Sequence, residues 1–285
     1  MKYKGKIYPM IDDSLIDRDG LRKVQLEMFK SFVSICEKYH LRYYAAEGTV
    51  LGAIRHQGYI PWDDDIDVCM PRKDYDIFLS VAQKELPEEY FLQTYMTDPD
   101  FRETLAKIRN SNTTFLETYG QKININHGAW IDIFPVDGIP NSNCKVNRLL
   151  FFRKLVRGYL GKDYYPRTFA RRVAARVCQV LLLAKNTQKL LIRLEKKYKK
   201  YPFDECERTI SYGAAYEKKE IHKRETYGEG KIVKFENTTI RVPIDADTYL
   251  RETYGDYMKL PPKEQQVGRH NCSICDLHKS YKEYR

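Results

Sequence analysis

Residues 47–67 read EGTVLGAIRHQGYIPWDDDID and place a group of carboxylates shortly after three glycines. Asp65 and Asp67 alternate with the apolar residues Ile66 and Val68, and this period of two predicts a β-strand. Both carboxylates then leave one face of the strand, roughly 6–7 Å apart at the backbone, while the apolar side chains point into the core. Carboxylates paired in this way are typical of sites for hard divalent cations, which prefer oxygen ligands.

A third carboxylate belongs to Asp132, which lies between Ile131 and Ile133 in a second predicted strand at 129–135. If the two strands are neighbours in one sheet, this carboxylate reaches the same place as the other two. Three aspartates and substrate phosphates are predicted to hold two Mg²⁺ ions, or Mn²⁺ instead, about 4 Å apart. Two such ions stabilise the attacking and leaving oxygens of an in-line displacement at phosphorus.

The glycine-rich part of the same segment predicts a phosphate site. Gly48 and Thr49 end one predicted strand, and a helix is predicted over 50–56. Glycine allows the backbone to approach a phosphate closely, and a helix start offers free N–H groups at its positive end. Three basic residues are also predicted to contact phosphate or pyrophosphate oxygens: Arg55, Lys107 and Arg109.

Each of these signals also has an ordinary structural interpretation. An Asp-x-Asp pair occurs as solvated acids at the edge of a strand, and Gly-Thr is a common turn. However, four acids within five positions, from Asp63 to Asp67, repel one another unless metal ions or bases neutralise them. This crowding favours the metal-site interpretation, and it leaves open whether Asp63 and Asp64 bind metal directly or support the ligands.

The bulk composition is that of an ordinary globular protein with a full core: 285 residues, 42% hydrophobic and 31% charged. Seven scattered cysteines do not form a disulfide framework. The first residues contain no apolar signal segment, and the longest nearly apolar run, at 177–184, is too short to span a bilayer. We therefore expect a cytoplasmic location.

Positive charge is concentrated in one block. Residues 145–201 contain 17 Lys and Arg against two acids, a net charge of +15, while the rest of the chain has a net charge of −5. Such a block faces something anionic, for example a polyphosphate polymer, a nucleic acid or the inner membrane leaflet. The apolar residues of 149–155 among Arg and Lys fit an interfacial helix, so we predict peripheral contact with the anionic inner face of the membrane. A helical domain with a solvated basic face is the alternative.

Three segments resemble the LicD family: residues 47–67, 130–138 (WIDIFPVDG) and 254–262 (YGDYMKLPP). The resemblance implies an α+β fold, with a mixed sheet of the nucleotidyltransferase (polymerase-β-like) type and flanking helices, plus the basic helical region. It implies a nucleotidyltransferase core with the metal site at 1–140. A basic helical region that faces membrane or acceptor follows at 141–205, and a mixed section that packs back on the core at 206–285.

Members of the family are phosphotransferases, and the family's acidic motif falls on Asp65 and Asp67, with the third acid on Asp132. The implied reaction moves a phospho-substituent from a CDP-linked donor to a hydroxyl of a lipid-linked or polymeric glycan, such as a teichoic acid precursor or lipopolysaccharide, and releases CMP. CDP-choline is the favoured donor, with ribitol phosphate, glycerol phosphate and phosphoethanolamine left open as transferred groups. Asp132 is expected to lower the pKa of the acceptor hydroxyl, directly or through its metal.

The C-terminal tail contains a Cys-x-x-Cys pair with flanking histidines: His270, Cys272, Cys275 and His278. These residue types can form a structural zinc site. A zinc ribbon usually has a second, separated pair, and the only cysteine near enough in sequence is Cys206. We therefore favour a tail that folds near the active site.

Two other functions fit parts of the sequence. A glycosyltransferase would use Asp65 and Asp67 as a metal-binding motif for a sugar nucleotide, but it does not require Gly48 and Thr49 or the third aspartate. A non-catalytic protein would use the basic block to bind nucleic acid, with an affinity that falls steeply with salt. The carboxylate cluster favours the phosphotransferase, and we predict no nucleic-acid partner.

Overall fold

The structure is a computed structural model that describes residues 6–160, 168–182, 186–268 and 270–284. Its α-helices are α1 (Arg18–Lys38), α2 (Glu47–His56), α3 (Arg72–Glu85), α4 (Asn143–Leu160), α5 (Phe169–Leu182), α6 (Thr187–Tyr198), α7 (Arg224–Tyr227) and α8 (Ala246–Tyr254). Its strands are β1 (Tyr44–Ala45), β2 (Asp67–Pro71), β3 (Tyr90–Gln93), β4 (Ala106–Asn110), β5 (Thr114–Glu117), β6 (Ala129–Ile139), β7 (Arg208–Ile210), β8 (Ile221–Lys223), β9 (Lys231–Phe235), β10 (Thr238–Val242) and β11 (Cys272–Asp276). The predicted α+β class is confirmed.

The main sheet has the strand order β1-β2-β6-β4-β3 and is mixed, because β2 and β6 are parallel while the other pairs are antiparallel. Strand β6 is buried along its whole length. It was predicted to end at Pro135, but it continues to Ile139, where its last residues pair with β7. One long strand therefore joins the sheet that carries Asp67 and Asp132 to the section after residue 206.

Helix α1 covers the main sheet. Its apolar residues recur every three or four positions, and Phe29, Phe32 and Ile35 are buried in the main core. The Asp17 side chain accepts a hydrogen bond from the Gly20 amide and caps the helix start. This helix packs against β4 and β6, which carry Lys107 and Asp132.

The basic helices form a second, smaller core. Residues of α4 and α6 such as Val156, Tyr159, Leu190 and Leu194 pack together there, with Tyr212 from the chain after β7. Residues 161–167 and 183–185 of the predicted basic block lie outside the described residues. The section after residue 206 pairs with β6 through β7 and with β5 through β11. The predicted boundaries at 140 and 205 remain predictions.

Gly52 allows helix α2 to lie close to the backbone of Gly58 and Ile60. A Cβ atom at this position would lie 2.4 Å from the carbonyl oxygen of Gly58 and 3.1 Å from the amide nitrogen of Ile60. Because these contacts are with backbone atoms, they cannot be relieved by a side-chain rotation. We expect Gly52→Ala to lower the free energy of unfolding by roughly 1–3 kcal/mol, measured by urea denaturation.

Gly158→Ala in α4 is the matched control. Within the described ranges, its Cβ would meet only the Cys178 sulfur, at 3.1 Å, and alanine favours a helix over glycine by about 1 kcal/mol. We expect this control to be neutral or stabilising. Equal losses in the two variants would contradict the role of the Gly58 backbone.

Candidate active site

Three charged residues form a row across the main sheet. Asp67 of β2 is the partner of Asp132 of β6 in the parallel pair, and Lys107 of β4 is the partner of Asp132 on the other side. Paired residues on neighbouring strands leave the same face and lie about 5 Å apart. The predicted adjacency of the two aspartate strands is therefore confirmed.

Asp65 does not lie on the strand, in contrast to the prediction, because β2 begins at Asp67. It nevertheless reaches the same site. One carboxylate oxygen from each of Asp65, Asp67 and Asp132 lies within 4.8 Å of the others, and the last two residues are buried. The donor set consists entirely of oxygen atoms, which suits a hard divalent cation such as Mg²⁺ or Mn²⁺.

Electrostatic crowding at this point is strong. Burial, followed by the charge of Asp63, raises the pKa of Asp65 well above its usual range. Burial and the charges of Asp65 and Glu47 raise the pKa of Asp67 in the same way. The site therefore favours positive charge, which a bound metal ion would supply.

Lys107 supplies part of that charge. Its Nζ atom lies 2.7 Å from Oδ1 and 2.9 Å from Oδ2 of Asp132, and 4.5 Å from the centre of the Trp130 ring. The indole Nε1 of Trp130 also donates a hydrogen bond of 2.9 Å to Asp132 Oδ2. These contacts fix the orientation of the Asp132 carboxylate. They place Lys107 beside the predicted metal ligand Asp132, and its contact with phosphate stays a prediction.

Arg109 has a different environment from the one predicted. It is 1% exposed, and its guanidinium donates hydrogen bonds of 2.7 Å to the Gln93 side chain and of 2.7 Å to the Gly128 carbonyl. These are the contacts of a buried residue that holds β4 against its neighbours. This position does not support the predicted contact with phosphate, and Arg109 has no part in the reaction proposed below.

Arg55 lies in the last turn of α2, at the opposite end from the residues that face Asp67. Its Nη1 donates a 2.6 Å hydrogen bond to the Tyr257 carbonyl, and its Nε donates to His56. Arg55 therefore ties the segment 254–262 to α2. Its assignment to phosphate remains a prediction.

The start of α2 lies against the aspartates. The helix begins at Glu47, so Gly48 and Thr49 are in its first turn, whereas the sequence predicted a break before Val50. Thr49 Oγ1 accepts a 2.8 Å hydrogen bond from the Asp67 amide and fixes the helix to β2. A Cβ atom on Gly48 would lie 2.6 Å from Asp63 Oδ2, so this glycine leaves space for the carboxylate at the helix start.

His270 reaches the site from the C-terminal tail, as the predicted position of the tail requires. Its Nδ1 lies 2.8 Å from Asp64 Oδ1, and its Nε2 lies 3.8 Å from Asp65 Oδ2. Burial lowers the pKa of His270, but the hydrogen bond with Asp64 and the charges of Asp65 and Asp64 outweigh it and raise the pKa to about 10. Asp64, Asp65 and His270 form a second group of close ligand atoms, which shares Asp65 with the first.

Strand β11 holds the tail in this place by pairing with β5. Cys272 is buried in the main core, and Cys275 lies on the same strand. Neither belongs to a metal-ligand group formed by the described part of the chain. In the described part of the chain, the side chains of His270, Cys272, Cys275 and His278 therefore do not form one group of close ligand atoms.

Known proteins match this chain over most of its sequence. The model of the family described as "LicD/FKTN/FKRP, nucleotidyltransferase domain" matches residues 40–156, which include the three aspartates and Lys107. The lipopolysaccharide cholinephosphotransferase LicD of Haemophilus influenzae is 32% identical over 259 residues, 87% of this chain and 93% of that protein. An uncharacterized protein of Rickettsia prowazekii is 40% identical over 48 residues, 17% of this chain and 18% of its own length.

Proposed function

The chain belongs to the LicD family, and on this premise we propose that it transfers phosphocholine from CDP-choline to a hydroxyl of a cell-surface glycan. The observation that carries the proposal is the convergence of Asp65, Asp67 and Asp132 within 4.8 Å beside the start of a helix. The name of the Haemophilus influenzae relative supports phosphocholine as the transferred group and lipopolysaccharide as the kind of acceptor.

The metal ligands in this proposal are Asp65, Asp67 and Asp132, with Asp64 and His270 next to them. Two Mg²⁺ ions, or Mn²⁺ in their place, would supply the positive charge that stabilises the phosphoryl oxygens during transfer. The all-oxygen donor set of the three aspartates and their raised pKa values fit such ions.

The proposed transfer is a displacement at the phosphorus atom that carries choline. The acceptor hydroxyl oxygen forms a bond to this phosphorus, the bond to the bridging anhydride oxygen breaks, and CMP leaves with that oxygen. The hydroxyl proton passes to the carboxylate of Asp132, whose orientation is set by Lys107 and Trp130. The start of α2, at Gly48 and Thr49, faces the donor phosphates and offers them its positive end.

A comparison of donors, each incubated separately, tests the proposal. The purified protein is incubated with Mg²⁺, lipopolysaccharide or a teichoic acid precursor, and one donor at a time: CDP-choline, CDP-ethanolamine, CDP-ribitol, CDP-glycerol or a UDP-sugar. We expect CMP release from CDP-choline, equal to the phosphocholine incorporated, and loss of the reaction when EDTA removes divalent cations.

The other outcomes are informative. Turnover of a different CDP-linked donor would support the same displacement at phosphorus with release of CMP, but with a transferred group other than phosphocholine. Release of UDP from a UDP-sugar, without release of CMP from any donor, would contradict the proposal and favour a glycosyltransferase.

A further inference from the structure

Helix α5 (Phe169–Leu182) has apolar residues on two opposite faces. Ala175 and Leu182 point inward and are only 6% and 1% exposed. The opposite face is apolar but open to solvent: Phe169 (77% exposed), Val173 (46%), Val177 (51%), Val180 (61%) and Leu181 (61%). At 3.6 residues per turn, these five residues form one continuous stripe, which we call the α5 stripe.

An exposed stripe of this kind is unusual for the outer face of a helix, which is normally polar. Contiguous apolar patches on a protein surface mark sites of interaction. The helix also contains three Arg residues and no acidic residue, and it lies within the block of net charge +15. Its partner must therefore offer both apolar surface and negative charge.

The stripe differs in position from the interfacial helix that the sequence predicted. Residues 149–155 belong to α4, and their side chains Leu149, Leu150, Phe152 and Leu155 pack against the second core. Among the apolar residues of that segment, only Phe151 is strongly exposed, at 60%. The helix suited to an interface is therefore α5.

We propose that the α5 stripe docks on the surface of an anionic lipid bilayer. The apolar side chains enter the boundary between head groups and acyl chains, while the Arg and Lys residues of the block bind the negative head groups. None of the described helices is long and apolar enough to cross a membrane. An amphipathic helix of 14 residues with its apolar stripe on one side lies in the plane of the interface. This proposal does not depend on which group the enzyme transfers.

Two other occupants fit less well. A second copy of the chain would bring two blocks of net charge +15 together, and their repulsion opposes a symmetric pairing. A nucleic acid would bind the basic side chains, but it gives no reason for an apolar stripe between them. A bilayer with anionic head groups satisfies both features.

Vesicle flotation tests the proposal with the full chain. The probes are phosphatidylcholine vesicles with and without phosphatidylglycerol. We expect binding to the anionic vesicles only, and a loss of at least about tenfold in partitioning for the double variant Val177→Ser/Val180→Ser. The serine substitutions leave the charge unchanged, and since both positions are exposed, the melting temperature and CMP release with a water-soluble acceptor should not change.

The matched control is Ile232→Ser on β9, where an isoleucine is 54% exposed outside the block. It should bind anionic vesicles as the unmodified protein does. The proposal is overturned if the unmodified protein ignores anionic vesicles or if the double variant binds them equally well. It is also overturned if light scattering shows a dimer that the double variant dissociates, because a second copy would then cover the stripe.

Discussion

Replacing Asp67 by Asn is expected to lower the rate of CMP release by about 10³-fold or more, because metal-ion stabilisation of a transition state contributes several kcal/mol and each 1.4 kcal/mol is a factor of ten. Asn keeps the size of the side chain and leaves the hydrogen bond from the Asp67 backbone amide to Thr49 in place. The measurement is CMP release under saturating CDP-choline and Mg²⁺.

The Asp67→Asn variant should be at least as stable as the unmodified protein, although it is less active. In the metal-free protein, burial raises the pKa of the Asp67 carboxyl, and the charges of Asp65 and Glu47 raise it further. Removing its charge should therefore leave the free energy of unfolding equal to or above that of the unmodified protein. Asp100→Asn is the control, since this carboxylate is 48% exposed and pairs only loosely with Arg102 at 3.7 Å. Normal turnover by Asp67→Asn would remove Asp67 from the metal site.

Replacing Arg72 by Met is expected to lower the free energy of unfolding by about 3–5 kcal/mol, because it leaves a buried carboxylate without its cation. Arg72 is 5% exposed and Asp137 is fully buried. The guanidinium donates two hydrogen bonds of 2.8 Å to Asp137 and one of 2.6 Å to Glu195. These contacts join α3, β6 and α6. Urea denaturation in the absence of ligand measures the loss.

Arg251 provides the control for this prediction. It also donates a hydrogen bond to a carboxylate, 2.7 Å to Asp247, but the two side chains are 63% and 55% exposed. For a solvent-exposed pair, Arg251→Met should cost about 1 kcal/mol or less. Asp137→Asn in the Arg72→Met background should recover part of the stability, because it removes the unpaired charge. Similar losses for Arg72→Met and Arg251→Met would contradict the argument from burial.

The metal-site strands were predictable because their signal is local. Alternation of acids with Ile and Val predicts the strands at Asp67 and at Asp132 separately. The start of the first strand was wrong, because β2 begins at Asp67 and Asp65 lies before it. Strand and helix limits were less accurate: β6 continues to Ile139 because β7 pairs with its end, and that pairing joins residues about 70 positions apart. Contacts between distant segments determine such limits, and local patterns do not contain them.

Lys107 and Arg109 show more clearly that local patterns do not predict contacts between distant segments. Lys107 and Arg109 leave the same face of β4, and in the sequence they are equivalent candidates for phosphate contact. The fold separates them, because Lys107 meets Asp132 while Arg109 is enclosed by Gln93 and Gly128. His270 was not assigned to the site for a similar reason, since it meets Asp64 across 206 positions of the chain.

The proposed reaction requires the carboxylates of Asp65, Asp67 and Asp132 to bind a divalent cation together. This binding can be measured in crystals of the protein grown with Mn²⁺, from anomalous differences at the manganese edge. We expect an anomalous peak within about 2.5 Å of one oxygen from each of the three carboxylates. Mn²⁺ bound elsewhere, with no peak among these three side chains, would rule out the metal site.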